Sequence, residues 1–213
     1  MDPIDRSAFV NACHTAFSLA SDSAVAKAWN KESACADMTV GGLAHHLLGQ
    51  AGHVVSHLDA PPTTEPPIAL LDHYARADWV QADHDDEANA SVRESDNESA
   101  KVGHGTVLAQ AAMSLAHLPE LLAVPRSPDY IFIPWQGWAL TTDDFLVTRS
   151  MELVVHSDDL AASVGLPTPE FPDSIVKHVV RLLSGVALQR HGQEAVVRGL
   201  SRPQRAPDSI SAF

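Results

Sequence analysis

Residues 39–58 read Thr39-Val40-Gly41-Gly42-Leu43-Ala44-His45-His46-Leu47-Leu48-Gly49-Gln50-Ala51-Gly52-His53-Val54-Val55-Ser56-His57-Leu58. Val40, Leu43, Leu47, Ala51, Val54 and Leu58 recur at the three-to-four-residue spacing that lines one face of an α-helix. Asp37 or Thr39 supplies a side-chain oxygen to cap the first free backbone amides. The helix ends near Leu58, because Pro61, Pro62, Pro66 and Pro67 bracket a Thr/Glu stretch that cannot continue it and is expected to be extended. His46, Gln50, His53 and His57 fall along one edge of the apolar face. His45 points about 160° from its centre and is expected at the surface, with His53 and His57 as boundary residues.

Working outward, residues 5–20 place Phe9, Ala12, Cys13, Ala16 and Phe17 on one side of a first helix. A short helix is expected over Ile68–Ala82. The acidic stretch holding Asp83, Asp85, Asp86, Glu87, Glu94, Asp96 and Glu98 reads as a solvated face or loop, without the glycine and ligand spacing of a calcium loop. The pattern Val102, Val107, Leu108, Ala111, Leu115, Leu118, Leu122 predicts a third long helix over residues 99–123, stopped by Pro125 and Pro128. Tyr130 to Trp138 is rich in β-branched and aromatic residues but has no evident partner, and is expected to be an aromatic loop. Thr141 or Thr142, followed by Asp143 and Asp144, caps a fourth helix that runs to Val164, where Gly165 and Pro167 stop it. A fifth helix over residues 173–190 and a wrapping tail complete the chain. The fold class expected is all-α: a four-helix bundle over residues 1–165, with an added C-terminal helix and tail over residues 166–213.

The balance of 27 acidic to 14 basic residues gives a net charge of -13, which repels a phosphate backbone and argues against nucleic-acid binding. No apolar run reaches the roughly 18 residues of a membrane span. The N-terminus lacks the basic start and apolar block of a secretory signal, so a cytoplasmic address is expected. The two cysteines, Cys13 and Cys35, lack CxxC spacing and are expected as free thiols without a role.

The fourth helix carries Glu152-Leu153-Val154-Val155-His156, an acid and an imidazole four residues apart and therefore on one helical face. Extending that face adds Arg149 and Asp159, a polar line on an otherwise apolar helix. Combined with His46, the set offers two imidazoles and a carboxylate. That donor set suits a borderline divalent ion such as zinc and leaves positions open for water or substrate, which is the mark of a reactive site. Asp159 is placed to accept a ring N–H from His156, and Arg149 to meet a substrate carboxylate or steady Glu152. Trp135, Gln136 and Trp138 are candidates to wall a cofactor pocket.

The stretches Met38 to Leu47 and Arg149 to Leu160, with the closing Leu200-Ser201-Arg202-Pro203-Gln204-Arg205-Ala206-Pro207, resemble the DinB-like family in its mycothiol-dependent maleylpyruvate isomerase N-terminal branch. The resemblance covers most of the chain. It implies a four-helix bundle with a metal, usually zinc, held by one His of the second helix and a Glu-x3-His of the last bundle helix, matching His46, Glu152 and His156. It further implies dimer formation and thiol transfer or isomerisation of a small-molecule substrate, using mycothiol or bacillithiol. A metal-dependent protein that binds a small ligand without turnover, or serves in stress, is the alternative. Gly41 and Gly42 stand where relatives commonly carry polar residues, and glycine weakens a helix by up to about 1 kcal/mol per residue.

Overall fold

The computed structural model describes residues 3–77, 80 and 87–213, and these are mostly helical. Helix α1 (Arg6–Ala20) begins where the Asp5 carboxylate accepts the backbone N–H groups of Ser7 and Ala8 at 2.9 and 3.1 Å. It buries Phe9, Ala12, Cys13 and Ala16, the stripe read from the sequence. After the short α2 (Ser23–Ala28), α3 (Val40–Asp59) is capped by Thr39, whose Oγ1 accepts the Gly42 N–H at 2.9 Å. Asp37 instead takes a left-handed backbone, φ 64°, in the turn before the cap. The face of Val40, Leu43, Leu47, Ala51, Val54 and Leu58 is buried as expected.

The segment expected over Ile68–Ala82 is helical in α4 (Leu70–Arg76), and its end at Ala82 lies outside the described residues, as do Asp83, Asp85 and Asp86. The described rest of the acidic stretch is a helix with Glu94 and Glu98 exposed, the solvated face and not the loop of the two expected forms. It forms α5 (Glu87–Ser99), which packs on α3. The next long helix, α6 (His104–Ala123), starts later than its apolar pattern implied. Gly103, at φ 92°, breaks the chain between a 3-10 turn at Ala100–Val102 and α6, leaving Val102 55% exposed.

A second correction concerns residues 130–141. The expected aromatic loop is a β-hairpin, in which β1 (Tyr130–Ile133) pairs antiparallel with β2 (Trp138–Thr141) in the register Ile131 to Leu140 and Ile133 to Trp138. The missing partner is the chain itself, folded back through a turn in which Gly137 (φ 80°) donates its N–H to Ile133 O at 2.9 Å. The strand alternation is legible in its burial, with Ile131 and Ile133 inside and Phe132 outside.

The hairpin delivers α7 (Thr142–Val164). Thr141 Oγ1 caps it by accepting the Asp144 N–H at 3.1 Å, and Gly165, left-handed at φ 70°, ends it. Helix α8 (Asp173–Ser201) runs past the expected end at Arg190, across a kink at Gly192 (φ 78°). The tail then folds back, with His191 Nε2 donating to Ser211 O at 2.7 Å, Ala212 buried, and the Phe213 ring 5.8 Å from that of Tyr74.

Helices α1, α3, α6 and α7 enclose the core: α3 and α1 each pack on α6 and on α7, and touch each other. Helix α8 lies against α7 and α4. Leu43, Leu47, Phe145, Leu153 and Leu160 are almost wholly excluded from water, each side chain contributing about 1.5–3 kcal/mol of burial. Among the described residues no helix is long and apolar enough to cross a membrane.

Candidate metal centre

The α3 and α7 contact fixes the centre. Leu47 and Leu153 point into the core, so their neighbours His46 and Glu152 stand at the edge of the interhelical seam. His156 follows Glu152 by one helical turn. Glu152 Oε2 lies 3.4 Å from His46 Nε2 and 3.1 Å from His156 Nε2. The two imidazoles meet at a centroid distance of 4.9 Å with planes 87° apart. Donors held tetrahedrally at about 2.0–2.1 Å from a zinc ion are separated by about 3.3–3.4 Å, near both distances from Glu152, and the ligand atoms of all three residues lie within 4.8 Å of one another. The side chains are 22%, 12% and 23% exposed for His46, Glu152 and His156. The group is therefore sheltered but reachable.

Each imidazole has its other nitrogen tied to a carboxylate. His46 Nδ1 is 2.9 Å from Asp96 Oδ2, and His156 Nδ1 is 2.9 Å from Asp159 Oδ2. With Nδ1–H donating outward, both rings present Nε2 to Glu152, so that each can offer a lone pair to an ion once its Nε2 proton has left, the arrangement that orients metal-binding histidines and raises their basicity. Asp159 thus stands where the sequence placed it, as an acceptor for His156. Asp96 was missed: it sits on α5, in the stretch read as solvated, and its carboxylate is only 13% exposed. Its second oxygen lies 2.7 Å from His45 Nδ1, so His45 is a bound partner of the site's outer layer and not the free surface residue expected.

Gly41 and Gly42, at the start of α3, make that layer possible. A Cβ on Gly42 would overlap Asn97 Oδ1, and one on Gly41 would come within 2.6 Å of the Trp29 indole. Without side chains there, Asn97 accepts the Thr39 N–H at 2.9 Å and donates to Asp37 O at 2.9 Å. That clamp holds α5 against the start of α3 and brings Asp96 to the two histidines.

Charges follow the geometry. Burial works to raise the Glu152 pKa, but hydrogen bonds from His156 and His46 outweigh it and hold the carboxyl well below its usual range. Burial likewise opposes protonation of His46 and His156. The contacts of His46 with Asp96 and Glu152, and of His156 with Asp159, Cys35 and Glu152, overcome it and raise both pKa values, that of His156 strongly. The cluster therefore holds its protons more tightly than free imidazoles do, and a cation binding there must displace them.

Other expected residues are dispersed. Arg149 donates to Gln50 Oε1 at 2.7 Å and to Thr148 Oγ1 at 3.1 Å and lies over the Phe145 ring at 5.4 Å. It follows Glu152's face of α7 one turn earlier, and its hydrogen bonds go to the neutral Gln50 and Thr148. Trp135, 63% exposed, stacks near His57 at 5.5 Å and His53 at 6.3 Å. His53 and His57 are about two and three turns along α3 from His46, about 10 and 16 Å, so Trp135 stands toward the C-terminal half of that helix. Trp138 turns toward α4 and donates its indole N–H to His73 Nδ1 at 3.0 Å. Gln136 lies in the hairpin turn, its backbone N–H bonded to Ile133 O at 3.0 Å. Aromatic content near the fourth helix carried no information about which way each ring would face.

Cys35, given no role from sequence, lies beside the cluster, with its Sγ 3.3 Å from Asp159 Oδ2 and 4.0 Å from His156 Nδ1. Its only sequence signal was a thiol in the connector before α3. The chain matches no family model, and no curated protein or solved structure matches it.

Proposed function

We propose that the chain binds one divalent ion, zinc for preference, through His46 Nε2, Glu152 and His156 Nε2, and acts as a thiol transferase or a related isomerase on a small electrophile. The observation that carries this reading is the pairing of three converging donors with two outer carboxylates, since a carboxylate behind each imidazole is the support that metal-binding histidines have. The resemblance to the DinB-like family supports mycothiol or bacillithiol as the thiol. Bound there, an ion would hold the sulfur of a small thiol as thiolate, a nucleophile at neutral pH.

The chain's own residues then have separate tasks. His46, Glu152 and His156 supply the donor set, and Asp96 and Asp159 hold the Nδ1 protons and fix the rings. The Arg149 guanidinium, bonded to Gln50 and Thr148, is a cation available to a carboxylate on the substrate. The free thiols of Cys13 and Cys35 accord with the cytoplasmic address that we assign, and a homodimer is the assembly that the resemblance suggests.

Two measurements test the reading. Protein purified without added metal should contain about one equivalent per chain, lost in Glu152→Ala, and the loaded form should conjugate mycothiol or a related thiol to model electrophiles above the uncatalysed rate. One equivalent without turnover would favour binding without catalysis. Absence of metal would remove both.

A further inference from the structure

We infer that Cys35, His156 and Asp159 form a second cation site, on the opposite nitrogen of the His156 ring, which takes a thiophilic ion such as cadmium(II) or copper(I). Its donors are Cys35 Sγ, His156 Nδ1 and an Asp159 carboxylate oxygen, all within 4.8 Å of one another. The separations are 3.3 Å from sulfur to oxygen, 4.0 Å from sulfur to nitrogen and 2.9 Å from nitrogen to oxygen. Tetrahedral ligation with a metal–sulfur bond of about 2.3 Å and metal–nitrogen or metal–oxygen bonds of about 2.0–2.1 Å requires separations of about 3.3–3.6 Å. The observed triangle brackets these values, so shifts of a few tenths of an ångström would close it around an ion of zinc's size, and the longer bonds of cadmium require the three donors to spread further.

The thiol is held in position from both sides. Ala34 donates its N–H to Ser163 Oγ at 2.8 Å, and that hydroxyl donates in turn to the Asp159 carbonyl, fastening the connector to α7. Ser33 Oγ accepts the Cys35 N–H at 3.1 Å. A sulfur ligand distinguishes this site from the nitrogen and oxygen set around Glu152, because thiolate selects soft ions. Binding breaks the Cys35 S–H bond and displaces the Nδ1 proton of His156, so two protons leave to solvent as the metal–sulfur and metal–nitrogen bonds form. The site shares His156 and Asp159 with the function proposed above, and an ion on Nδ1 takes the place of the proton that Asp159 holds there. It uses neither His46 nor Glu152, so it can form whether or not that function is right.

Metal-free protein titrated with cadmium(II) should develop the ultraviolet thiolate-to-cadmium charge-transfer band. The band should persist in His46→Ala and disappear in Cys35→Ser. Absence of the band from the wild type, or its survival in Cys35→Ser, where only Cys13 could supply it, would overturn the site. Cadmium NMR on the wild type gives an answer that needs no variant: a resonance shifted downfield by one sulfur ligand is expected, and resonances confined to the nitrogen and oxygen range would refute it. A thiolate band without zinc at His46 would sink the proposed function alone, and one zinc without a band would sink this site alone.

Discussion

Asp96→Asn isolates what the outer carboxylates do. The Asp96 carboxylate accepts from His46 Nδ1 at 2.9 Å and from His45 Nδ1 at 2.7 Å with one oxygen each, and is 13% exposed. Asparagine keeps the size but offers one acceptor oxygen to two imidazoles and carries no charge. His46 then loses the partner that fixes its tautomer and aims its Nε2 at Glu152. Removing such a partner costs about 10–100-fold in metal affinity, or about 1.4–2.8 kcal/mol. Asp159→Asn makes the same cut behind His156 from a different helix. The two losses should nearly add, because Asp96 and Asp159 touch different histidines, giving a double variant weaker by about 100- to 10,000-fold. Competition against a chromophoric chelator reads these values directly. Affinity within threefold of wild type for both single variants would refute the claim that the carboxylates organise a metal site.

Four further outcomes follow from the geometry. Gly42→Ala should destabilise the protein by about 1–3 kcal/mol, as overpacking does, and should also weaken metal binding, because the displaced Asn97 carries its neighbour Asp96 with it; urea midpoints with unchanged zinc affinity would count against the clamp. Metal affinity should go on rising with pH past the point where an ordinary imidazole has lost its proton, since the contacts that raise the His46 and His156 pKa values keep protons in competition, and a profile that levels off where a free imidazole does would contradict this. His73 is 5% exposed and accepts the Trp138 N–H, and burial lowers its pKa to about 4. Its folded value lies below its unfolded one, so its contribution is present above about pH 6.5 and lost as pH falls toward 4, up to about 3 kcal/mol; urea melts of wild type and His73→Phe should converge in acid. Arg149→Met should leave metal content unchanged but slow turnover of carboxylate-bearing electrophiles, seen as a raised KM, and equal loss with uncharged electrophiles would remove its role as an anion anchor.

The sequence reading succeeded where one helix carries its own signal. The Val40 to Leu58 face, the stop at Gly165 and the Glu152 to His156 stacking all depend on neighbours within a few turns. It failed where a partner comes from afar. The hairpin needed Tyr130–Ile133 to be matched with a strand beyond a glycine turn, and α5 has few apolar residues to announce its packing on α3. Asp96 reads as one acid among many until α5 is docked, and the docking rests on two glycines that, judged by helix propensity alone, look like defects. Cys35 was silent for the same reason, because nothing within the connector says that α7 runs beside it.

The account depends on an ion seated between α3 and α7. Crystals of zinc-loaded protein, measured at the zinc absorption edge, should show an anomalous peak about 2.0–2.2 Å from His46 Nε2, His156 Nε2 and a Glu152 carboxylate oxygen at once. Zinc-loaded crystals with no peak among these three side chains, or with a peak only elsewhere on the protein, would contradict it.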